Sequence, residues 1–410
     1  MTSHHDDTYA PLLSDRPPIR VVLAEDSVLF VAVLRELFAS TPDIEIVRCV
    51  DNGEDAVSSC IELEPDLVLM DVNMPRLDGL SATQEIMARC PTPILIITSD
   101  PHQGGVDISF KALSAGALDL FPKTRLSADI KSSAHRELVA KVRLLSQIPV
   151  IRHVRGRARH GARQPNAPPE PPGAKREARR TPIPPSHSSW NVAQRGSPGL
   201  HFLIGVVAST GGPRALATIL KRLPSHLPAT ILVVQHITHG FTAHLARWLD
   251  QNSSLHVIEA TDRARLRPGQ VLIAPGGRHM ELADSGSSVR LRKDASSSRA
   301  YPAHPTRRHC PGGDELLHSI AAHAHAPTTL GIVLSGMGDD GSHGLLAMRQ
   351  AGCTTVIQDE KSSVVWGMPG VAHKIGAAMH MMDPPQMVRY IGNFCKGSGP
   401  SSPEAGDERP

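Results

Sequence analysis

Short apolar runs alternate with amphipathic stretches over residues 19–146. The apolar runs predict five β-strands, at residues 20–24, 44–50, 67–70, 94–97 and 117–121. Between them, apolar residues recur at helical spacing, as in the stripe formed by Val28, Val31, Leu34 and Phe38. This alternation predicts an α/β domain with a doubly wound parallel sheet, whose ligands collect at the carboxyl ends of the strands.

The same kind of pattern restarts after Gly199. Apolar runs predict strands at residues 202–207, 230–234, 271–273 and 330–334, and helices near residues 213–221 and 343–351. Residues 285–311 are rich in Ser, Arg, His and Pro, which predicts a surface loop. The C-terminal part is therefore predicted to be a second α/β domain with a mainly parallel sheet.

Between the two domains, apolar periodicity disappears and Pro and Arg accumulate. Such a segment cannot bury enough apolar surface to fold, which favours an extended tether. The predicted division of the chain is a disordered N-terminus (1–18), a first domain (19–146), a linker (147–199), a second domain (200–393) and a disordered tail (394–410).

Composition narrows the setting in which the protein works. The 410 residues have a net charge of +3, and the positive excess lies in the linker, so no nucleic-acid-binding face is predicted. The six cysteines show no CxxC motif or paired spacing, which favours free thiols in a reducing cytosol. No apolar stretch reaches the roughly 18 residues of a membrane span, and the N-terminus has no apolar signal core. We expect a cytoplasmic protein that is not membrane-embedded.

Three carboxylates follow two of the predicted strands: Glu25 and Asp26 after the first, and Asp71 after the third. If these strands are neighbours, the acids converge, and such a cluster repels itself unless a hard cation such as Mg²⁺ binds it. Thr98 ends the fourth strand and Lys123 follows the fifth, where a hydroxyl and an ammonium group can contact a phosphoryl oxygen. A single strand-end aspartate is often only a helix cap or a solvated turn, but the whole set favours a phosphorylation site.

The segments that carry these groups resemble response-regulator receiver domains. The matching segments are Glu25-Asp26-Ser27, residues 70–79 (MDVNMPRLDG), Thr98-Ser99 and residues 121–123 (FPK). The resemblance covers nearly all of residues 19–146 and implies a flavodoxin-like fold with five parallel strands.

The resemblance also implies roles for individual residues. Asp71 would accept a phosphoryl group from a histidine kinase, and Thr98 and Lys123 would sense that group. Mg²⁺ would be held by Glu25, Asp26 and the carbonyl of Asn73.

A second reactive group, Ser209, follows the strand predicted at residues 202–207 and precedes Thr210-Gly211-Gly212-Pro213. A tight glycine turn projects the serine outward, and the amides after it point toward the N-terminal space of a helix, where they can stabilise an oxyanion. The segment fits neither G-x-G-x-x-G nor the P-loop, and it lacks the first glycine of G-x-S-x-G. The pattern favours a nucleophilic serine over a nucleotide-binding loop.

A serine hydroxyl needs a base, and that base needs an orienting acid. His236 ends the next predicted strand, where this geometry requires the base. The glycine-rich loop 335–341 (SGMGDDG) follows the strand at 330–334, so Asp339 or Asp340 could orient His236 while the Met337 amide faces the oxyanion. The residues alone do not choose between the two acids.

Several segments of the second domain resemble the catalytic domain of the chemotaxis protein-glutamate methylesterase and glutaminase family, CheB. They are residues 205–213, 234–236, 240–242, 274–280, 335–341, 358–360 and 365–369. The resemblance runs over about residues 202–390. It implies Ser209 as nucleophile, His236 as general base and Asp340 as orienting acid, with the Thr210 and Met337 amides lining the oxyanion hole and no cofactor in this domain. Arg278 and His279 are candidate substrate contacts.

Together the two resemblances imply a phosphorylation-activated serine hydrolase that demethylates methyl-glutamate residues on chemoreceptors, releases methanol and deamidates receptor glutamines. The unphosphorylated receiver would cover the active site. Two alternatives stay open: the same chemistry on another protein ester or amide, and a non-catalytic, phosphorylation-dependent adaptor. The basic linker could also contact a receptor tail or anionic lipid.

Overall fold

A computed structural model of the chain describes residues 17–98, 106–126, 132–150, 201–238, 240–293 and 309–397. Almost all of the predicted disordered N-terminus, most of the predicted linker and most of the predicted tail lie outside these residues. Among the helices in the described part, none is both long and apolar enough to cross a membrane.

The N-terminal domain has a five-stranded parallel sheet in the order β2-β1-β3-β4-β5. Its strands are β1 (Ile19–Ala24), β2 (Ile44–Val50), β3 (Leu67–Asp71), β4 (Ile94–Thr98) and β5 (Asp119–Pro122). Its helices are α1 (Val28–Ala39), α2 (Gly53–Leu63), α3 (Gly79–Arg89), α4 (Val106–Ala115) and α5 (Ser133–Leu145). The predicted doubly wound α/β fold is confirmed.

Both faces of this sheet are buried, as the continuous apolar runs of its strands require. One face packs against α1 and α5, and the other packs against α2, α3 and α4. The predicted helical stripe is correct at Leu34 and Phe38, but Val28 is 85% exposed. Val28 lies in the first turn of α1, directly after the strand-end acids, and Leu37 takes the buried position on this helix instead.

The C-terminal domain has a seven-stranded parallel sheet in the order β14-β13-β12-β6-β7-β9-β8, with a separate hairpin of β10 and β11. The strands are β6 (Phe202–Ala208), β7 (Ala229–Gln235), β8 (His256–Glu259), β9 (Gln270–Ile273), β10 (Arg278–Leu282), β11 (Val289–Lys293), β12 (Thr329–Val333), β13 (Thr354–Gln358) and β14 (His380–Met382). The helices are α6 (Gly212–Leu220), α7 (Thr242–Gln251), α8 (Gly313–His323), α9 (Ser342–Gln350), α10 (Met368–Lys374) and α11 (Pro384–Phe394). The second α/β domain is confirmed.

Helices cover both faces of this larger sheet. The α6, α7 and α11 helices pack on one face, and α8, α9 and α10 pack on the other. The order places β6 at the centre, between β12 and β7, so the carboxyl ends of these three strands meet in the middle of one edge.

Two expectations about this domain differ from the structure. The prediction of a surface loop over residues 285–311 is wrong at β11, which pairs antiparallel with β10 and buries Val289. The packed chain also extends past residue 393, because the Phe394 ring lies edge-on to Phe202, with ring centroids 5.4 Å apart, and Cys395 is buried.

Candidate active site

The predicted acids of the N-terminal domain converge at the carboxyl edge of its sheet. Asp71 ends β3 and Glu25 directly follows β1, and these two strands are paired neighbours. Ligand oxygens of Glu25, Asp26 and Asp71 all lie within 4.8 Å of one another. Glu25 and Asp71 are buried, whereas Asp26 is exposed, so the cluster opens toward solvent on one side.

Lys123 neutralises part of this cluster. Its Nζ lies 2.6 Å from Glu25 Oε2 and 2.8 Å from Asp71 Oδ2, and the Val72 N–H donates to Asp71 Oδ1 at 2.7 Å. Burial raises the pKa of both the Glu25 and the Asp71 carboxyl, and the Lys123 ammonium opposes that rise. Three crowded carboxylates with one ammonium are a donor set that fits a hard divalent cation such as Mg²⁺.

The other predicted groups lie at the same edge. Thr98 ends β4 and is buried, and it lies one residue beyond Ile97, the β4 partner of Asp71 in the ladder. Asn73 is exposed in the loop two residues after Asp71.

In the C-terminal domain, Ser209 lies in the turn between β6 and α6. Gly211 has a φ of 80°, a conformation that favours glycine, and the Gly212 N–H donates to the Ser209 carbonyl at 2.8 Å. The Ser209 N–H in turn donates to the Ser335 carbonyl at 3.0 Å. The loop after β12 packs closely here, because a Cβ on Gly336 would lie 2.7 Å from the Cβ of Ser209.

His236 directly follows β7 and lies beside this turn. Ala208 and Gln235 are ladder partners, and the His236 N–H donates to the Ala208 carbonyl at 2.8 Å. Ser209 and His236 are therefore the next residues along two adjacent parallel strands. Within the described part of the chain, His236 Nδ1 is buried and has no hydrogen-bond partner, so no hydrogen bond joins it to Ser209 in this structure.

The other nitrogen of His236 contacts a carboxylate. His236 Nε2 lies 2.6 Å from Asp340 Oδ2, which identifies Asp340 as the acid that holds the imidazole. Asp340 Oδ2 also accepts a hydrogen bond from the Gly313 N–H at 2.6 Å, and its Oδ1 accepts one from the Asp314 N–H at 2.9 Å.

These donors explain the charge state of Asp340. Burial alone would raise the pKa of the Asp340 carboxyl, but His236 and the Gly313 and Asp314 amides together hold that pKa well below its usual range. Both amides belong to the first turn of α8, where the N–H groups have no partner within the helix. The carboxylate therefore stays charged next to the imidazole.

The two amides predicted to bind an oxyanion lie on either side of the serine turn. Thr210 follows Ser209, and Met337 lies two residues after Ser335, whose carbonyl accepts the Ser209 N–H. Over the residues the structure describes, neither the Thr210 nor the Met337 N–H donates a hydrogen bond. Their role in an oxyanion hole stays a prediction.

Of the two candidate substrate contacts, Arg278 is exposed and His279 is buried, and a substrate contact for either stays a prediction. His279 is 5% exposed, and its Nδ1 accepts a hydrogen bond of 3.1 Å from the Gly312 N–H. It supports the loop that precedes α8 rather than facing solvent.

Sequence reasoning missed three features around Asp340. The amides of the α8 first turn donate to its carboxylate, and His309 stacks on the ring of His236. The Asp314 carboxyl lies close enough to interact electrostatically with Asp340. Burial first, and then the Asp340 carboxylate, raises the pKa of Asp314 to about 7. The signal that could have found this loop is Gly312-Gly313 before an acid-rich helix start.

The N-terminal domain contacts the serine turn itself. The Thr210 hydroxyl donates to Asp119 Oδ2 at 2.8 Å, and the Lys141 ammonium lies 3.2 Å from the same hydroxyl and forms an ion pair with Asp119. On the apolar side of this contact, the rings of Phe110 on α4 and Trp248 on α7 stack with centroids 5.5 Å apart.

Comparisons with known proteins agree with this division. A CheB methylesterase profile matches residues 204–391, and a response regulator receiver domain profile matches residues 21–135. A protein-glutamate methylesterase/protein-glutamine glutaminase 3 of Myxococcus xanthus is 38% identical over 97% of this chain and 100% of that protein. A protein-glutamate methylesterase/protein-glutamine glutaminase 1 of Xanthomonas campestris is 35% identical over 89% of this chain and 94% of that protein.

Among solved structures, the crystal structure of the Thermotoga maritima CheB methylesterase catalytic domain covers 47% of this chain and 97% of its own chain. The sequence identity is 34% and the TM-score is 0.42.

Proposed function

The chain belongs to the protein-glutamate methylesterase/protein-glutamine glutaminase (CheB) family, and from this premise we propose how its own residues carry out that activity. The protein is a phosphorylation-regulated hydrolase that removes methyl groups from methylated glutamates of chemoreceptors. The observation that carries the residue assignment is the 2.6 Å contact between His236 and Asp340 at the strand end next to Ser209.

In the proposed reaction, Ser209 Oγ attacks the carbonyl carbon of the methyl ester, and its proton passes to His236 Nδ1. His236 then returns the proton to the methoxy oxygen as the C–O bond breaks and methanol leaves. Water next attacks the acyl-enzyme, His236 accepts the proton of that water, and Ser209 recovers it as the glutamate carboxylate departs.

The structure supports these roles through charge and placement. Nδ1 is the ring nitrogen of His236 that is not engaged with Asp340. The ionised Asp340 stabilises the imidazolium that forms when Nδ1 takes the proton. The Thr210 and Met337 amides donate to the developing oxyanion, and removing one such donor typically costs about 10²–10³ in kcat.

The same residues account for deamidation of receptor glutamines. The acyl-enzyme is identical, and only the leaving group changes, from methanol to ammonia. His236 supplies the proton to the departing nitrogen.

For regulation, we assign Asp71 as the phosphoryl acceptor and Thr98 and Lys123 as the groups that respond to the phosphoryl oxygens. Mg²⁺ held by Glu25, Asp26, Asp71 and the Asn73 carbonyl would supply positive charge to those oxygens. A histidine kinase is the proposed donor. Phosphorylation adds about 1.5 to 2 negative charges next to Lys123, whose present partners are Glu25 and Asp71.

The receiver domain restrains the serine turn before that event. Asp119 on β5 and Lys141 on α5 hold the hydroxyl of Thr210, and Phe110 on α4 stacks on Trp248. A phosphoryl group at the end of β3 would favour a second arrangement of α4, β5 and α5, in which these contacts break and substrate reaches Ser209. The cytoplasmic location expected from the sequence stays a prediction.

A serine-directed fluorophosphonate probe tests the assignment. The full-length protein, activated with acetyl phosphate and Mg²⁺, should be labelled, and Ser209→Ala should abolish the label. His256→Ala, at an exposed histidine, is the control and should keep the label. Methanol release should be seen with methylated receptor membranes and exceed turnover of small esters. Labelling that survives in Ser209→Ala would remove Ser209 as the nucleophile, and equal turnover of unrelated esters would point to a different substrate.

A further inference from the structure

The ring of His309 lies flat on the ring of His236. Their centroids are 4.2 Å apart and the ring planes differ by 15°. His309 is exposed as a residue, so this stack forms at the rim of the site rather than in the core.

The carboxylate that holds His236 also fixes the chain that follows His309. Asp340 accepts the Gly313 and Asp314 amides, which pins the start of α8 four to five residues after His309. The next residue, Cys310, is fixed as well, since its carbonyl accepts the Gly277 N–H at 3.1 Å. The backbone that follows His309 is therefore anchored at two points, Cys310 and the start of α8.

His236 needs a second contact to fix its ring. The Asp340 hydrogen bond holds the imidazole at one edge, but the last torsion of a histidine side chain is broad and roughly two-fold. A flat contact on the ring face restricts that torsion. Together, the edge contact and the face contact determine where Nδ1 points.

Among the residues that the structure describes, the charged or titratable groups near enough to act on His309 are His236 at the end of β7, Asp339 and Asp340 in the loop after β12, and Lys141 on α5. Although the residue is exposed overall, its ring is partly removed from solvent inside the site, and this burial first, and then the neighbouring His236, lower the pKa of His309 to about 4. His309 is thus neutral near pH 7 and can stay stacked on His236 when the latter becomes an imidazolium, as a neutral aromatic face does with a cation.

We infer that His309 is a positioning residue for the general base: its ring, presented by the anchored loop before α8, holds the His236 imidazole in the plane that aims Nδ1 at Ser209. This inference rests on the proposed roles of Ser209 and His236. It adds a residue to the site that acts through His236 and not on the substrate.

The test compares two substitutions in the full-length protein, activated with acetyl phosphate and Mg²⁺. His309→Ala removes the ring, and we expect the rate of Ser209 labelling by a fluorophosphonate and the kcat for methyl ester hydrolysis to fall by about 10-fold or more, because a misaimed base slows the transfer. KM should change little. His309→Phe keeps the flat face, and its rates should stay within about 3-fold of the parent. His256→Ala serves as the histidine control.

A third substitution gives a readout that loop damage alone would not move. His309→Lys places a cation next to His236, which disfavours protonation of the imidazole, so the acid limb of the kcat/KM profile should move to lower pH by about half a unit or more. An unmoved acid limb, a parent rate in His309→Ala, or His309→Phe as slow as His309→Ala would each overturn the inference. Absence of labelling in the parent protein would instead contradict the proposed function.

Discussion

The carboxylate of Asp119 in the receiver domain and the hydroxyl of Thr210 in the catalytic domain share a hydrogen bond of 2.8 Å. Lys141 completes the contact, 3.2 Å from the Thr210 hydroxyl. Because Thr210 follows the proposed nucleophile Ser209 and supplies a proposed oxyanion amide, this contact joins the regulatory domain directly to the catalytic turn.

Breaking that contact should raise activity without phosphorylation. In Lys141→Met, Asp119 loses its buried cation at the interface, and removing one partner of a buried pair typically costs about 3–5 kcal/mol. We expect the receiver to separate more readily and the basal esterase rate to rise several-fold. The measurement is methanol release without any phosphoryl donor.

Lys111 on α4 is exposed and provides the matched control for that experiment. Lys111→Met should leave the basal rate at the parent value. A basal rate in Lys141→Met that equals the parent rate would mean that the Asp119–Lys141–Thr210 contact does not restrain the catalytic domain.

Substitution of Asp340 should inactivate the enzyme with little change in substrate binding. Asp340 accepts from four donors: the His236 ring, two α8 amides and the Gly341 N–H. Asp340→Asn replaces this charged acceptor with an amide that cannot accept at both positions. In serine triads such a change lowers kcat by roughly 10⁴-fold. We expect a loss of about 10³-fold or more in kcat for ester hydrolysis.

Asp339, the acid next to Asp340, provides the control for this test. Asp339→Asn removes the adjacent carboxylate and should change kcat by less than about 3-fold. If Asp339→Asn were the variant that lost activity, the choice of Asp340 as orienting acid would be wrong.

Asp314 should make stability depend on pH. Its pKa is raised to about 7 by burial and by Asp340, above the usual value near 4 for an aspartate in an unfolded chain. Stability from this group is fully present below pH 4 and is lost as pH rises through 7. Asp314→Asn can still accept the Gly344 N–H, so at pH 8 its free energy of unfolding should exceed that of the parent by about 1–3 kcal/mol, and at pH 4 it should not.

Thermal unfolding at both pH values measures that difference. Glu360→Gln, at an exposed carboxyl, should show the same small effect at pH 4 and pH 8. A stability gain in Asp314→Asn that did not grow with pH would show that the ionised Asp314 carries no penalty in the folded protein.

Much of both sites could be predicted from the sequence, because each group follows a buried apolar strand and parallel strands end at one edge. This holds for Glu25, Asp71, Ser209 and His236. The choice of Asp340 over Asp339 could not be made from local pattern, since it depends on α8 amides about 26 residues earlier in the chain folding onto that carboxylate. The contact of His309 with His236 could not be predicted for the same reason, since the two residues are far apart in the sequence.

Three of the missed strands, β8, β14 and β11, can be explained by their sequences, whereas β13 was missed although it is buried inside the sheet. The edge strands β8 and β14 are only partly buried, so their sequences lack the continuous apolar run of the central strands. The short strand β11 alternates basic and apolar residues within a polar stretch. Such strands form because the rest of the sheet or hairpin is already in place.

Phosphate-dependent methanol release from methylated receptor membranes tests the central claim most directly, that Asp71 controls the Ser209 site. The account predicts that acetyl phosphate with Mg²⁺ raises the rate of the full-length protein, that Asp71→Asn keeps only the basal rate, and that Ser209→Ala has none under either condition. An equal rise in the parent and in Asp71→Asn would contradict control through Asp71, and methanol release by Ser209→Ala would contradict the chemistry.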